Sequence, residues 1–168
     1  MKRIFAALLL VGVGTLSVAG FQGPKVVESQ KLKDESLLGT WVLDVGKSTF
    51  STGAPDKRTM TFERVADGIR HVTDTSANQG AFAEQRYRLQ YTFKIDGKEY
   101  PADVQMPVST VSFKRVDTNT IERSGRYRGE IVETVTYSVS ADRNVLTVTQ
   151  MGNLNGTEVS SVQVFSRQ

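Results

Sequence analysis

The chain has 168 residues, no cysteine, 21 lysine and arginine residues and 18 aspartate and glutamate residues. Without cysteine the protein can have neither a disulfide framework nor a lipid attached to a lipobox cysteine. The small net charge, further reduced if basic Lys2 and Arg3 are removed with a signal peptide, argues against nucleic acid or an anionic membrane as a general partner.

The first residues have the organisation of a secretory signal. Lys2 and Arg3 precede an apolar run over residues 4–13, and small side chains follow at residues 17–19. This pattern predicts a signal peptide over residues 1–19, because the apolar run is shorter than the ~20 residues that a membrane helix needs. We therefore expect an exported protein, periplasmic or extracellular, with no stable membrane anchor after cleavage.

A flexible, polar lead-in is predicted for residues 20–36, followed by one domain over residues 37–168. Within the domain, short runs rich in valine, threonine and aromatic residues alternate with glycine, asparagine and aspartate, as in sheets joined by tight turns. The longest predicted loops cover residues 46–56 and 76–84. The predicted strands are 39–45, 57–66, 69–76, 85–95, 98–104, 109–116, 120–127, 130–140, 145–152 and 157–166.

The segment 85–95, QRYRLQYTFKI, alternates strictly between aromatic or aliphatic and polar residues. Such an alternation is typical of a strand with one buried and one solvated face. Consecutive hairpins along the chain favour a meander, and closing the meander removes exposed edges. We predict an all-β, antiparallel up-and-down β-barrel of about eight to ten strands with little helix.

Gly46-Lys47-Ser48 has the ending of a phosphate-binding loop. That loop also requires a glycine at residue 41, where this chain has Trp41, and a helix afterwards, where it has TFSTGAPD. We predict no nucleotide site here and no cofactor elsewhere.

His71 is the only histidine in the chain. One histidine with carboxylates is a poor ligand set for zinc, so no metal site is predicted. Asp74 would point to the opposite face of the same strand, and no G-x-S-x-G turn exposes a serine. We predict a surface or lining histidine and no catalytic residues; an enzyme would require His71 and a carboxylate to converge in a pocket.

Glu133 lies in phase with apolar residues of its strand and is predicted to face inward, where a carboxylate must be paired or neutral. If Arg128-Gly129 is the hairpin turn, Arg126 faces Ile131 and Ser124 faces Glu133. Arg126 would then lie one diagonal step from Glu133. The pair is either a structural ion pair or a polar anchor for a ligand.

Five aromatic residues in the predicted strands could line the interior: Tyr87, Tyr91, Phe93, Phe113 and Tyr137. A barrel of about eight strands is either filled by such side chains or holds one small ligand. The first hypothesis is a non-enzymatic protein that binds a small apolar or amphipathic ligand inside the barrel, with Glu133 and Arg126 as polar groups. The alternative is a filled barrel that binds a protein or envelope component through its two long loops, marked by an exposed Phe50 or Phe82.

Gly39-Thr40-Trp41 resembles the G-x-W signature of lipocalins, and three further motifs occur in order. Over residues 37–168 the chain is similar to small exported lipocalin-like proteins of bacteria. The resemblance implies that Trp41 closes one end of the barrel and packs under Arg167. The further motifs are Lys47-Ser48-Thr49-Phe50 after Asp44, Asp96-Gly97-Lys98-Glu99-Tyr100-Pro101, and Val111-Ser112-Phe113-Lys114-Arg115.

Overall fold

The computed structural model describes residues 36–79, 82–154 and 156–168. The predicted signal peptide and nearly all of the predicted lead-in lie outside these residues. The described part of the chain forms ten strands: β1 (Gly39–Phe50), β2 (Lys57–Val65), β3 (Gly68–Gln79), β4 (Phe82–Phe93), β5 (Glu99–Pro101), β6 (Thr110–Arg115), β7 (Thr120–Tyr127), β8 (Glu130–Val139), β9 (Val145–Leu154) and β10 (Thr157–Arg167).

Apart from β4 and β5, each strand pairs antiparallel with its neighbours in sequence, and β1 pairs with both β2 and β10. This order curls the sheet into a nearly closed barrel whose two edges are β4 and β5. The Asp103 carboxylate, in the segment after β5, accepts the backbone N–H of Gln90 on β4 at 2.8 Å and so covers part of the β4 edge. The predicted all-β, up-and-down barrel is confirmed.

In the described residues, no helix has the length and apolar character needed to cross a membrane.

The predicted loop over residues 46–56 is confirmed only for residues 51–56, because β1 continues to Phe50. A bulge separates the pairs Asp44↔Val164 and Thr49↔Val162. Inside it, the Ser48 hydroxyl donates to the Asp44 carbonyl at 2.7 Å and accepts the Val164 N–H at 2.9 Å. Gly46-Lys47-Ser48 therefore bridges a bulge and keeps the strand paired where the backbone ladder is interrupted.

The predicted loop over residues 76–84 is also wrong. Strands β3 and β4 stay paired as far as Gln79↔Phe82, because backbone groups form a ladder whatever side chains they carry. Conversely, the strand predicted over 98–104 is longer than the observed strand, β5. Residues 102–109 connect β5 to β6 and contain a turn in which the Met106 N–H donates to the Asp103 carbonyl.

The closed end of the barrel carries the β2–β3, β4–β5, β6–β7 and β8–β9 turns and is packed with aromatic side chains. Phe93 and Phe113 stack with ring centroids 3.6 Å apart, and both are fully buried. The large aromatic side chains that are at most 1% exposed are Trp41, Phe62, Phe93, Phe113 and Phe165. This half of the interior is therefore filled by the protein itself.

Trp41 and Arg167 meet at this end, as predicted. The two residues are directly paired across β1 and β10, and the Arg167 guanidinium lies 4.1 Å from the centroid of the indole. The indole N–H donates to the Leu37 carbonyl at 2.9 Å, and Arg167 donates to the carbonyls of Ser36 and Leu38. Trp41 and Arg167 thus anchor the segment that leads into β1.

Candidate functional site: a polar cavity in the open half of the barrel

A cavity of about 220 Å³ lies inside the half of the barrel away from Trp41. Inward side chains of β2, β3, β4, β7, β8, β9 and β10 form its walls, and Gln105, Met106 and Pro107 of the segment 102–109 form one side of its mouth. The walls mix apolar residues with polar and charged ones. The cavity is the candidate site.

The structure brings only some of the predicted site residues to this cavity. Tyr91, Tyr137 and Glu133 line it. Phe93 and Phe113 belong to the packed core of the closed half instead. Tyr87 is 45% exposed and borders a groove with Lys57 and Arg88, because β4 extends past the rim and its inward face there meets solvent.

The predicted pair between Glu133 and Arg126 is wrong. Arg126 does face Ile131, but Gly125, not Ser124, faces Glu133, so Val132 is an extra residue in β8. This bulge reverses the inward and outward phase of β7 relative to the prediction. Arg126 is paired with Glu99 at 3.3 Å, away from the cavity.

Arg123 takes the place that Arg126 was expected to occupy. Its side chain is diagonal to Glu133 across the ladder, and one guanidinium nitrogen donates to the Glu133 carboxylate. Arg123 is 5% exposed and Glu133 is 4% exposed. Gly125 leaves room for the pair, since a Cβ atom there would lie 3.0 Å from the carboxylate oxygen Oε2 of Glu133.

The second carboxylate oxygen of Glu133 accepts the side-chain amide N–H of Gln150 at 2.5 Å. Both oxygens of Glu133 therefore have protein partners. This geometry favours the structural ion pair over a carboxylate that is free to anchor a ligand.

A chain of hydrogen bonds continues from Gln150 across the cavity wall. The Ser161 hydroxyl donates to Gln150 at 3.3 Å and accepts from Gln163 at 2.9 Å. Gln163 in turn accepts from Nη1 of Arg58 at 2.7 Å, and Nε of Arg58 donates to the Thr75 hydroxyl at 3.0 Å. The sheet thus carries a polar band on its inner face.

Sequence reasoning missed most of this band, although a signal was present. Arg58 is in phase with buried Met60 and Phe62, and Gln163 is in phase with buried Phe165. A polar residue on the apolar face of an alternating strand marks an inward polar position. The same criterion selects Arg123, which is in phase with buried Ile121.

His71 is a lining residue, as one of the predicted alternatives had it. Its Nδ1 lies 2.8 Å from the Tyr91 hydroxyl and its Nε2 lies 2.9 Å from the Thr73 hydroxyl, while the ring stacks on Phe62. Burial, with the positive charge of Arg123 nearby, lowers the pKa of His71 to about 3. Both ring nitrogens thus have hydroxyl partners, Tyr91 at Nδ1 and Thr73 at Nε2.

The stability of the protein should fall as the pH is lowered from 7 to 5. Below its ordinary pKa of 6.5, the histidine of the unfolded chain binds a proton that the folded protein excludes until about pH 3. The free energy of unfolding should then decrease by about 1.4 kcal/mol per pH unit, or about 2 kcal/mol by pH 5. Chemical denaturation of wild type and His71→Phe at several pH values measures this slope. The variant should show a nearly flat profile between pH 7 and 5, and an equal slope in both proteins would contradict the assignment.

Among the described residues, no group of three or more histidine, cysteine, aspartate or glutamate side chains is arranged to hold a metal ion.

Phe50, one marker of the loop-binding alternative, is half-buried and packs against the core. The side chain of Phe82, the other marker, lies outside the described residues. Nothing at Phe50 favours a docking loop.

No family model and no curated protein sequence matches the chain. Solved structures do match. One is As-p18, an extracellular fatty acid binding protein, with 16% sequence identity and a TM-score of 0.50 over 80% of this chain and 97% of that one. Another is the S-type phycobiliprotein lyase of Guillardia theta, with 11% identity and a TM-score of 0.52 over 87% of this chain and 98% of that one. At such identities the likeness concerns the fold alone, an antiparallel β-barrel shared with these two structures.

Proposed function

We propose that the protein binds a small apolar or amphipathic molecule inside the barrel, in the cavity of its open half. The observation that carries the proposal is the unfilled volume of about 220 Å³. Protein interiors are close-packed, and a single water molecule requires a cavity of only about 10–15 Å³. A space of this size next to a densely packed aromatic half is therefore a specific feature of the interior.

The chemistry of the walls supports an amphipathic ligand. Met60, Val135 and Val148 supply apolar surface, whereas the hydroxyl groups of Tyr91 and Tyr137 supply polar contacts. Pockets that bind small molecules combine these two kinds of wall. The volume lies below the ~300 Å³ at which pockets for drug-sized molecules begin, which favours a small ligand or a short apolar chain.

Octan-1-ol is a suitable first probe, because it combines a short apolar chain with one uncharged polar group. We expect saturable binding by calorimetry and chemical-shift changes at cavity-lining residues. Replacing the half-buried wall residue Leu89 with tryptophan should fill the cavity and weaken binding about tenfold or more, equivalent to about 1.4 kcal/mol. Met151→Trp, a similar enlargement at a position that is 62% exposed on β9, is the matched control and should bind like the wild type.

Two results would contradict the proposal. One is the absence of saturable binding to the folded wild type. The other is equal binding by wild type and Leu89→Trp, which would put the bound octan-1-ol outside the cavity.

We also propose that the mature protein is exported after loss of residues 1–19. Native mass spectrometry of protein purified from periplasm or medium tests both points. The expected protein mass is that of a chain beginning at Gly20, and a co-purifying small molecule would identify the natural ligand. A mass that still contains residues 1–19 would contradict the export proposal alone.

A further inference from the structure

The charges that line the cavity do not balance. Among the described residues, Arg58, Arg123 and Glu133 are the charged side chains on its wall, and His71 is neutral at pH 7. Arg123 and Glu133 form an ion pair with each other. Arg58 therefore leaves the cavity with one uncompensated positive charge.

Arg58 is held in place by neutral partners. In the described part of the chain its hydrogen bonds are those from Nε to the Thr75 hydroxyl and from Nη1 to the Gln163 amide oxygen. These two contacts fix the plane of the guanidinium, and neither of them uses Nη2. Burial lowers the pKa of Arg58, as expected for a cation that has lost hydration without gaining a counter-charge.

The arrangement of these charges favours an anionic ligand over a cationic one. A cationic ligand would need a free carboxylate, but both oxygens of Glu133 are already occupied by Arg123 and Gln150. An anion would meet an oriented guanidinium and would bring the cavity to neutrality. Guanidinium groups match planar carboxylates particularly well, because they offer several N–H donors in one plane.

We propose that Arg58 binds the carboxylate head group of the ligand, so that the ligand class is a small organic acid with an apolar body. This inference rests on the proposed function, since it assigns the head group of the molecule in the same cavity. On β2, Arg58 is the next inward-facing residue after Met60 in the direction of the open end. The head group would therefore lie toward the mouth of the cavity.

The test compares octanoate with octan-1-ol, which has the same chain length and no charge, by calorimetry at pH 7. The wild type should bind octanoate about tenfold or more tightly than octan-1-ol, since hydrogen bonds to charged groups are the stronger ones. Octylammonium, the matched cation, should bind most weakly. In Arg58→Met the preference for octanoate should disappear while octan-1-ol binding persists, which also shows that the variant is folded.

Arg64→Met is the matched control, because Arg64 is an exposed residue of the same strand and its loss changes the net charge equally. It should keep the full preference for octanoate. Arg58→Lys, which preserves the charge but not the planar donors, should keep part of the preference and covers the case in which Arg58→Met does not fold.

The possible failures are distinguishable. If octan-1-ol binds but octanoate is not preferred, or if the preference survives in Arg58→Met, the assignment of Arg58 is wrong and the binding cavity stands. If octyl sulfate binds more tightly than octanoate, the head group is a tetrahedral anion and the carboxylate assignment is wrong. If no probe binds to the wild type, the proposed function itself fails.

Discussion

Replacing Arg123 with methionine should lower the free energy of unfolding by about 3–5 kcal/mol. The substitution leaves the carboxylate of Glu133 almost fully buried, with Gln150 as its remaining partner. An isolated buried charge is far more costly than the ion pair was favourable, because its lost hydration is no longer offset. Denaturant unfolding followed by circular dichroism measures the difference.

The matched comparison is Arg70→Met. Arg70 pairs with Glu63 on the outside of the barrel, and the two side chains are 42% and 47% exposed. Loss of an exposed pair costs at most about 1 kcal/mol. A cost for Arg123→Met no larger than that of Arg70→Met would contradict the burial of the inner pair.

The double variant Arg123→Met/Glu133→Leu isolates the cause. With both charges removed, the buried site becomes apolar, and buried ion pairs replaced in this way often leave stability unchanged or raised. Most of the loss seen in Arg123→Met should therefore be recovered. A double variant that is less stable than Arg123→Met would show that packing, not charge, determines the effect.

Replacing Trp41 with alanine should destabilise the protein by about 3–5 kcal/mol, the usual range for removing a large buried aromatic side chain. Trp41 is fully buried, its indole N–H is bonded to Leu37, and its ring lies under the Arg167 guanidinium. The substitution removes all three interactions at the point where the first and last strands meet. Thermal and denaturant unfolding measure the loss.

Trp41→Phe is the control, because it keeps an aromatic ring beneath Arg167 and loses the indole hydrogen bond and some volume. Its cost should be clearly smaller than that of Trp41→Ala, and its octan-1-ol binding should equal that of the wild type, since Trp41 does not line the cavity. A Trp41→Ala protein within about 1 kcal/mol of the wild type would contradict a role for the indole in closing the barrel.

The structure also explains why the first residue of the G-x-W motif is glycine. Gly39 adopts a φ of 121°, which L side chains rarely take, and a Cβ atom there would lie 2.6 Å from Nη1 of Arg167. The G-x-W motif thus combines a tryptophan that is covered by Arg167 with a glycine that makes space for the same guanidinium.

Much of the fold follows from patterns that act over a few residues. The alternation in residues 85–95 predicted that Tyr91 and Phe93 face inward, and both are buried. Tyr87 has the same phase but is exposed, because alternation specifies a face and not the depth along the barrel. The turn residues predicted the number of strands. They did not predict where β1, β3 and β4 end, because backbone hydrogen bonds extend these strands into polar segments.

The candidate site was harder to predict, because one bulge changed its members. No local feature of the sequence marks Val132 as an extra residue in β8. Because of this extra residue, Arg123 and not Arg126 is the partner of Glu133. Whether a strand bulges depends on packing and hydrogen bonds across both partner strands, which neither strand's own sequence contains.

The sequence by itself determined the number of strands and the barrel class, because side-chain alternation and turn chemistry are local. The resemblance of Gly39-Thr40-Trp41 to the G-x-W signature also predicted the meeting of Trp41 with Arg167. Only the tertiary structure decided the charge of the cavity. Arg58 meets Gln163 across a separation of 105 residues, and the inward carboxylate of Glu133 pairs with Arg123 rather than with Arg58. Such pairings depend on strand register around the whole barrel, and register is a property of the assembled sheet.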